Sequence, residues 1–277
     1  SLTGSTTISV PTVIDAIVEI DETFTLNGTV TSGNTDNTNP VGTGTITESL
    51  PLPTLTLTGT TVVEGNPVEF TATLSTASST PVTFTVLTTS GNPPNGATSN
   101  ADFQPILVPV LVTIPANSLT YVLPFTIGTI IDPIFEQTET FFLNATVTSG
   151  NTDNIDPVGI GTITESLLPP TFTITGNTAT EGNPITFTAT LSGPSSTDTI
   201  ITVVTNTGTA TSPEDYNATP TVTTITIPAG SLTGITQVNT LDDNINEPQE
   251  QFTLTGTVTS GNTSNLDATG TGTIDDD

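Results

Sequence analysis

One short stretch occurs three times along the chain, and each time it hands over to a run with the alternation of a strand. LDDNINEPQEQF occupies Leu241–Phe252, IIDPIFEQTETF Ile130–Phe141 and VIDAIVEIDETF Val13–Phe24. Aligned on their acids, Asp15, Asp132 and Asp243 correspond, as do Glu19, Glu136 and Glu247, and Glu22, Glu139 and Glu250. The runs that follow read FTLNGTVTSGNT, FFLNATVTSGNT and FTLTGTVTSGNT. Self-similarity of this kind means that one structural unit is built repeatedly. An acidic loop ahead of a strand in every copy is then a repeated site on a repeated fold.

Three boundaries follow from the repeats. The string GTITESL closes the first copy at Gly44–Leu50 and the second at Gly161–Leu167, and GTIDDD closes the third at Gly272–Asp277. Pro-rich joints, ESLPLPT and ESLLPPT, follow the first two closings, and proline favours extended, semi-rigid linkers. Repeats are therefore expected at 51–168 and 169–277, with 1–50 matching only the C-terminal half of a unit. Its opening SLTGS aligns with Ser118–Val122 and Ser231–Ile235, which lie past the middle of their repeats. Half a sandwich cannot bury its own apolar face, so residues 1–50 are expected to need a partner segment.

Within the third repeat, alternation and turn signals predict seven strands, near 171–175, 184–191, 199–205, 219–227, 233–241, 250–259 and 269–274. Turns such as EGNP (Glu181–Pro184) and PAGS (Pro228–Ser231) separate them. No stretch keeps a helical period. The fold class is all-β: tandem immunoglobulin-like antiparallel sandwiches of about seven strands each.

Charge narrows the function. The 277 residues include 27 acids and no Lys, Arg, His or Cys, for a net charge of -27. No internal ion pair can offset these carboxylates. Two like charges 4 Å apart repel by about 1 kcal/mol in water and about 4 kcal/mol at an effective dielectric near 20. Clustered acids must stay hydrated, take up protons or bind cations, and calcium, which prefers six to eight oxygen ligands, is the expected ion. Nucleic acid is excluded as a partner, because phosphate contacts rely on Lys and Arg. Disulfides and thiolate metal sites are excluded with cysteine. The longest apolar run, Ile106–Val112, is too short to cross a membrane and is interrupted by Pro109, so no membrane insertion is expected.

The order of motifs in the third repeat supplies a resemblance. ATEGNPITFTATLS (Ala179–Ser192), GTATSPEDY (Gly208–Tyr216), LDDNINEPQEQF and GTIDDD follow one another. The second repeat has VVEGNPVEFTATLS (Val62–Ser75), ATSNADF (Ala97–Phe103), IIDPIFEQTETF and GTITES. This succession resembles the Calx-beta domain, known from sodium–calcium exchangers and from long surface proteins. The resemblance implies calcium held among loops at one end of the sandwich. In the third repeat the implied ligands are Glu181, Asp215, Asp242, Asp243, Glu247, the carbonyl of Ile245, and Asp275, Asp276 and Asp277. In the second they are Glu64, Asp102, Asp132, Glu136 and Glu165. There Ile131 stands in place of Asp242, and Thr164 and Ser166 flank Glu165 in place of acids. The first copy keeps only Asp15, Glu19 and Glu48. Glu250, just before a core Phe, is expected to orient its loop rather than ligate.

The resemblance further implies a non-enzymatic structural repeat. The expectation is an extracellular, cell-surface shaft or filament segment of a large adhesin, stiffened by Ca2+, with neighbouring repeats of the same long chain and other copies of it as partners. The alternative is a calcium-dependent glycan-binding module, with a surface glycan or protein ligand and with Tyr216 and Phe103 as aromatic platforms beside the ligands. An enzyme would have only carboxylates to work with, and their recurrence in every unit suits structural ions better than one active site.

Overall fold

A computed structural model of the chain describes residues 4–150, 152–219 and 223–277. By internal packing it divides into two compact units, Ser1–Ile130 with Thr140–Ile163, and Ile131–Glu139 with Thr164–Asp277. The division does not follow the repeat boundaries. Residues of the first copy fall with the second repeat, and the acidic loop of the second copy falls with the third repeat.

In unit 1 the strands are β1 (Ile17–Val18), β2 (Glu22–Asn27), β3 (Val41–Ile46), β4 (Leu55–Gly59), β5 (Thr61–Val63) and β6 (Val68–Leu74). They continue with β7 (Ala77–Ser78), β8 (Val82–Thr89), β9 (Val110–Ile114), β10 (Thr120–Ile127), β11 (Glu139–Ser149) and β12 (Val158–Thr164). A three-stranded sheet, β10-β6-β4, accompanies a five-stranded one, β5-β12-β11-β8-β9. Unit 2 repeats the plan with β13 (Phe172–Gly176), β14 (Thr178–Thr180), β15 (Ile185–Leu191), β16 (Thr199–Asn206), β17 (Thr223–Ile227), β18 (Thr233–Val238), β19 (Glu250–Ser260) and β20 (Asp267–Asp275). Its sheets run β13-β15-β18 and β14-β20-β19-β16-β17. No described residue is helical, and no helix is long and apolar enough to cross a membrane.

Period-two alternation sets the core. Val68, Phe70, Ala72 and Leu74 of β6 are buried in unit 1, and Ile185, Phe187, Ala189 and Leu191 of β15 in unit 2. Six of the strand phenylalanines, Phe70, Phe84, Phe141, Phe172, Phe187 and Phe252, are at most 1 % exposed, and Phe125 packs partly buried against the unit 1 core.

The predicted strands of the third repeat stand close to the observed ones, though residues 220–222 of the predicted 219–227 strand lie outside the described residues. One strand per repeat was not predicted. After β4 and β13 the chain switches sheets, so β5 and β14 join the five-stranded sheet; β14 runs parallel to β20. Glycine makes the crossing possible. A Cβ on Gly59 would sit 2.3 Å from the Ile160 carbonyl oxygen, and one on Gly176 2.4 Å from that of Thr271, so only a residue without Cβ lets the backbones approach.

The first strand of each full repeat is pinned by one side chain. Asn154 accepts from the Leu55 N–H and donates to its carbonyl, both at 2.8 Å. Asn265 does the same for Phe172 at 2.8 and 2.9 Å. The first copy contributes β1, which pairs with β7, and the hairpin β2–β3, whose residues are mostly exposed, including Leu26 and Val41.

Candidate metal centre

Buried aromatic pairs fix the carboxylate-bearing turns. Tyr216, 1 % exposed, stacks on Phe252 with ring centroids 4.2 Å apart. Asp215 precedes Tyr216, and Glu250 lies two residues before Phe252, on the same face of β19. The stacked rings therefore draw these two carboxylates together. Oxygens of Asp215, Glu247 and Glu250 lie within 4.8 Å of one another. Asp215 is held further by its Oδ2, which accepts the Thr211 N–H at 2.6 Å, and by its carbonyl, which accepts from Leu241 at 2.9 Å.

Of the other predicted ligands of the third repeat, Glu181, Asp243 and Asp276 lie close enough to act on the charges of this triad. Glu181 is carried by β20, its N–H donating to the Asp275 carbonyl at 2.9 Å, and its Oε2 faces the Asp243 N–H at 3.5 Å. Asp243 makes an Asx turn, its Oδ1 accepting the Ile245 N–H at 2.6 Å. Asp276 accepts the Glu247 N–H at 3.1 Å and the Asn246 amide at 2.6 Å, and Asp275 accepts the Gln249 amide at 2.6 Å. Asp242, Asp243, Ile245, Asp276 and Asp277 line one open polar cleft. Gly182, at φ +71°, faces Asp242 so closely that an added Cβ would lie 3.1 Å from the Asp242 Cβ.

Electrostatics follow from the crowding. Loss of hydration, then the Asp215 charge and a hydrogen bond with Asp215, then Glu247 and Glu181, push the Glu250 carboxyl up to about 7. Glu247 is raised, first by loss of hydration and then by Asp215, Asp243 and Asp276. Glu181 is raised in the same way against a lowering contribution from the Asp243 N–H. Converging hard oxygens that hold protons for want of a counter-charge suit a divalent cation, and calcium fits the donor set. Glu250, which sequence reasoning set aside as an orienting residue, lies inside the triad. Its signal was the two-residue spacing to a core Phe.

The second-repeat set is distributed differently. Glu64 and Asp102 lie in unit 1, at 7 % and 9 % exposed. Asp102 Oδ2 accepts the Thr98 N–H, and its carbonyl accepts from Ile130 at 2.9 Å. Its neighbour Phe103 stacks on Phe141 at 4.3 Å, as Tyr216 does on Phe252. Asp132, Glu136 and Glu165 lie in unit 2. Asp132 closes an Asx turn on Ile134 at 2.7 Å. Glu165 takes the Glu136 N–H on Oε2 at 2.6 Å, and the Ser166 and Leu167 N–H groups on Oε1 at 2.6 and 2.7 Å. Both its oxygens thus clasp backbone. Glu48 does the same in the first copy with Glu19, Ser49 and Leu50, and Asp15 makes the Asx turn on Ile17 at 2.8 Å.

The Calx-beta domain family model matches residues 177–275, so the third repeat carries a Calx-beta domain. Among solved structures, the apo-form Calx CBD1 domain is similar at 16 % identity and a TM-score of 0.32, over 39 % of this chain and 98 % of that one. CBD12 from CALX1.2 is similar at 15 % identity and a TM-score of 0.32, over 75 % and 83 %. The calcium binding domain CBD12 of CALX1.1 is similar at 16 % identity and a TM-score of 0.34, over 72 % and 79 %. No curated protein matches the chain.

Proposed function

We propose that the chain is a run of non-enzymatic structural repeats in which the third binds calcium at its loop end, and that it forms part of the shaft of an extracellular surface adhesin. The observation that carries the calcium reading is the triad Asp215, Glu247 and Glu250, ringed by Glu181, Asp243 and Asp276, in a chain with no basic side chain. Calcium there joins turns far apart in sequence: the turn before Tyr216, the Asp243–Glu250 loop and the closing acids. It adds positive charge where carboxylates repel, and an ion that binds only the folded form stabilises it by mass action.

The adhesin reading is supported by tandem repeats, an acidic surface and the lack of any Lys or Arg for trypsin to cut. Surface protease treatment and antibody labelling of intact producing cells test it; a chain found only inside cells would sink it. The glycan-binding alternative loses its platforms, since Tyr216 and Phe103 are 1 % and 0 % exposed and stacked into the cores.

Calorimetric titration of calcium into the calcium-free chain, with a parallel melt, tests the ion. Saturable binding with a higher melting temperature, both removed by Asp243→Asn with Glu247→Gln, is the expected result. Absence of binding at millimolar calcium would overturn it.

A further inference from the structure

The same acidic loop has a second use in the first two copies, and it recurs at corresponding positions. In unit 1, strand β1 is the middle of the first loop. Ile17 pairs in parallel with Ala77, and Val18 with Ser78. Val18 is 2 % exposed despite its acidic neighbours, and its carbonyl accepts the Ser79 N–H at 2.9 Å. In unit 2 the second loop repeats the contact. Phe135 bridges Ser195 in parallel, donates its N–H to the Pro194 carbonyl at 2.9 Å, and accepts from Ser196 at 3.0 Å. The Gln137 amide donates to Asn262 at 2.7 Å.

The receiving segments are built alike. Ser78 and Ser195 are 3 % and 1 % exposed. Each hydroxyl accepts the N–H two residues on, from Thr80 at 3.2 Å and Thr197 at 3.4 Å. Each carbonyl accepts, at 2.8 Å, from a residue in the left-handed region, Asn117 (φ 62°) or Gly230 (φ 73°). Such turns leave the next N–H, Ser79 or Ser196, aimed outward as a donor for an incoming strand.

We infer that this is a docking joint. The acidic loop of one repeat adds itself as a parallel strand to the Ser-x-Thr turn of the repeat that follows it in the chain, and the apolar residue between the Asx aspartate and the clasped glutamate seals the contact. The occupant of the Ser195 turn is the Phe135 loop of the same chain. The third loop has Asn246 at this position, exposed and bonded to Asp276, so it is not of the docking type. The inference does not depend on calcium binding by the third repeat.

Hydrogen exchange on the whole chain, digested with pepsin, tests it in chelator. The expected result is protected amides at 134–136 and 194–197 in the wild type. Phe135→Asn, which installs the third-copy residue, speeds exchange at both segments on the order of tenfold while β15 and β19 stay protected. Phe135→Leu retains protection. Val18→Asn has the matching effect at 77–80, and so covers the case in which Phe135→Asn disturbs unit 2 as a whole. Unprotected exchange at both segments in the wild type, or protection at 194–197 unchanged by Phe135→Asn and at 77–80 unchanged by Val18→Asn, overturns the joint.

Discussion

The acidic loops of the second and third copies share a backbone and differ in what they offer. Both begin with an Asx turn, Asp132 on Ile134 and Asp243 on Ile245. Both are clasped by a closing carboxylate, Glu165 on the Glu136 N–H and Asp276 on the Glu247 N–H. The second loop then carries Ile131 and Phe135 where the third has Asp242 and Asn246, and its closing has Thr164 and Ser166 where the third has Asp275 and Asp277. The lesson concerns how acids are read. In both loops two carboxylates hold the backbone, and the third has further acids, Asp242, Asp275 and Asp277, at positions where the second has Ile131, Thr164 and Ser166. A carboxylate that clasps backbone N–H groups has less to offer an ion, so a count of acids alone overstates the ligands of either loop.

The aromatic pairs give the largest expected effect that separates the repeats. Tyr216→Ala and Phe103→Ala each remove a buried, stacked ring and should destabilise the chain by about 3–5 kcal/mol. They should differ in calcium. Tyr216→Ala frees the turn that holds Asp215 and abolishes the binding heat, whereas Phe103→Ala leaves it intact. Undiminished calcium binding by a folded Tyr216→Ala variant would mean that Asp215 is not a ligand.

Calcium itself comes next. At a hundredfold excess over its dissociation constant it should stabilise unit 2 by about 2.7 kcal/mol and raise its melting transition, with the unit 1 transition unmoved. An equal rise in both transitions would erase the distinction between the loops. Smaller again is the clasp. Glu165→Ala removes the acceptor of three backbone N–H groups, of which the Glu136 N–H is part-buried and the other two are open to water, and should cost roughly 1 kcal/mol, read from the denaturant midpoint, without altering the calcium response.

Much of this fold was legible because alternation is a strong signal in a chain whose strands are nearly uncharged. The boundaries of β15, β16 and β19 are where Ile, Phe, Val and Thr alternate. β5 and β14 were not legible: three residues carry no period, and the sheet switch rests on Gly59 and Gly176 meeting backbone far away in sequence. The acids at the loop end could be named from their motifs, but not sorted into backbone clasps and free carboxylates, since that depends on which N–H each oxygen meets. Three residues were legible and undervalued. Glu250 shares a face with Phe252, and Val18 and Phe135 are apolar amid acids, where a loop left in water has no use for them.

Acid provides the finest way to break the comparison, because the crowded carboxyls of unit 2 should all push its stability in one sense. In unit 2, Glu250 sits at about 7, raised chiefly by burial and then by Asp215, and Glu247 and Glu181 are raised as well. The folded unit then binds more protons than the unfolded chain between 4.5 and about 7, so stability falls as pH rises through that window. In unit 1 two neighbours work against each other. Glu48 is lowered below 4.5, chiefly by the Leu50 N–H and then by the Glu19 N–H, so its contribution is present above 4.5 and is lost as pH falls through the folded value. Glu19 is raised, chiefly by Glu22, and its contribution is lost as pH rises. Melts in chelator should therefore show the unit 2 transition dropping from pH 4.5 to 7, with Glu250→Gln flattening the drop, while in unit 1 the opposed shifts of Glu48 and Glu19 leave a flatter profile. Exposure of these groups to solvent keeps their contributions to stability small. Saturating calcium should replace the bound proton and level the unit 2 profile, since the cation supplies the charge that the proton supplied. A calcium-free unit 2 that instead gains stability across that window would show that its carboxylates are not crowded, and the ion would then have no repulsion to relieve.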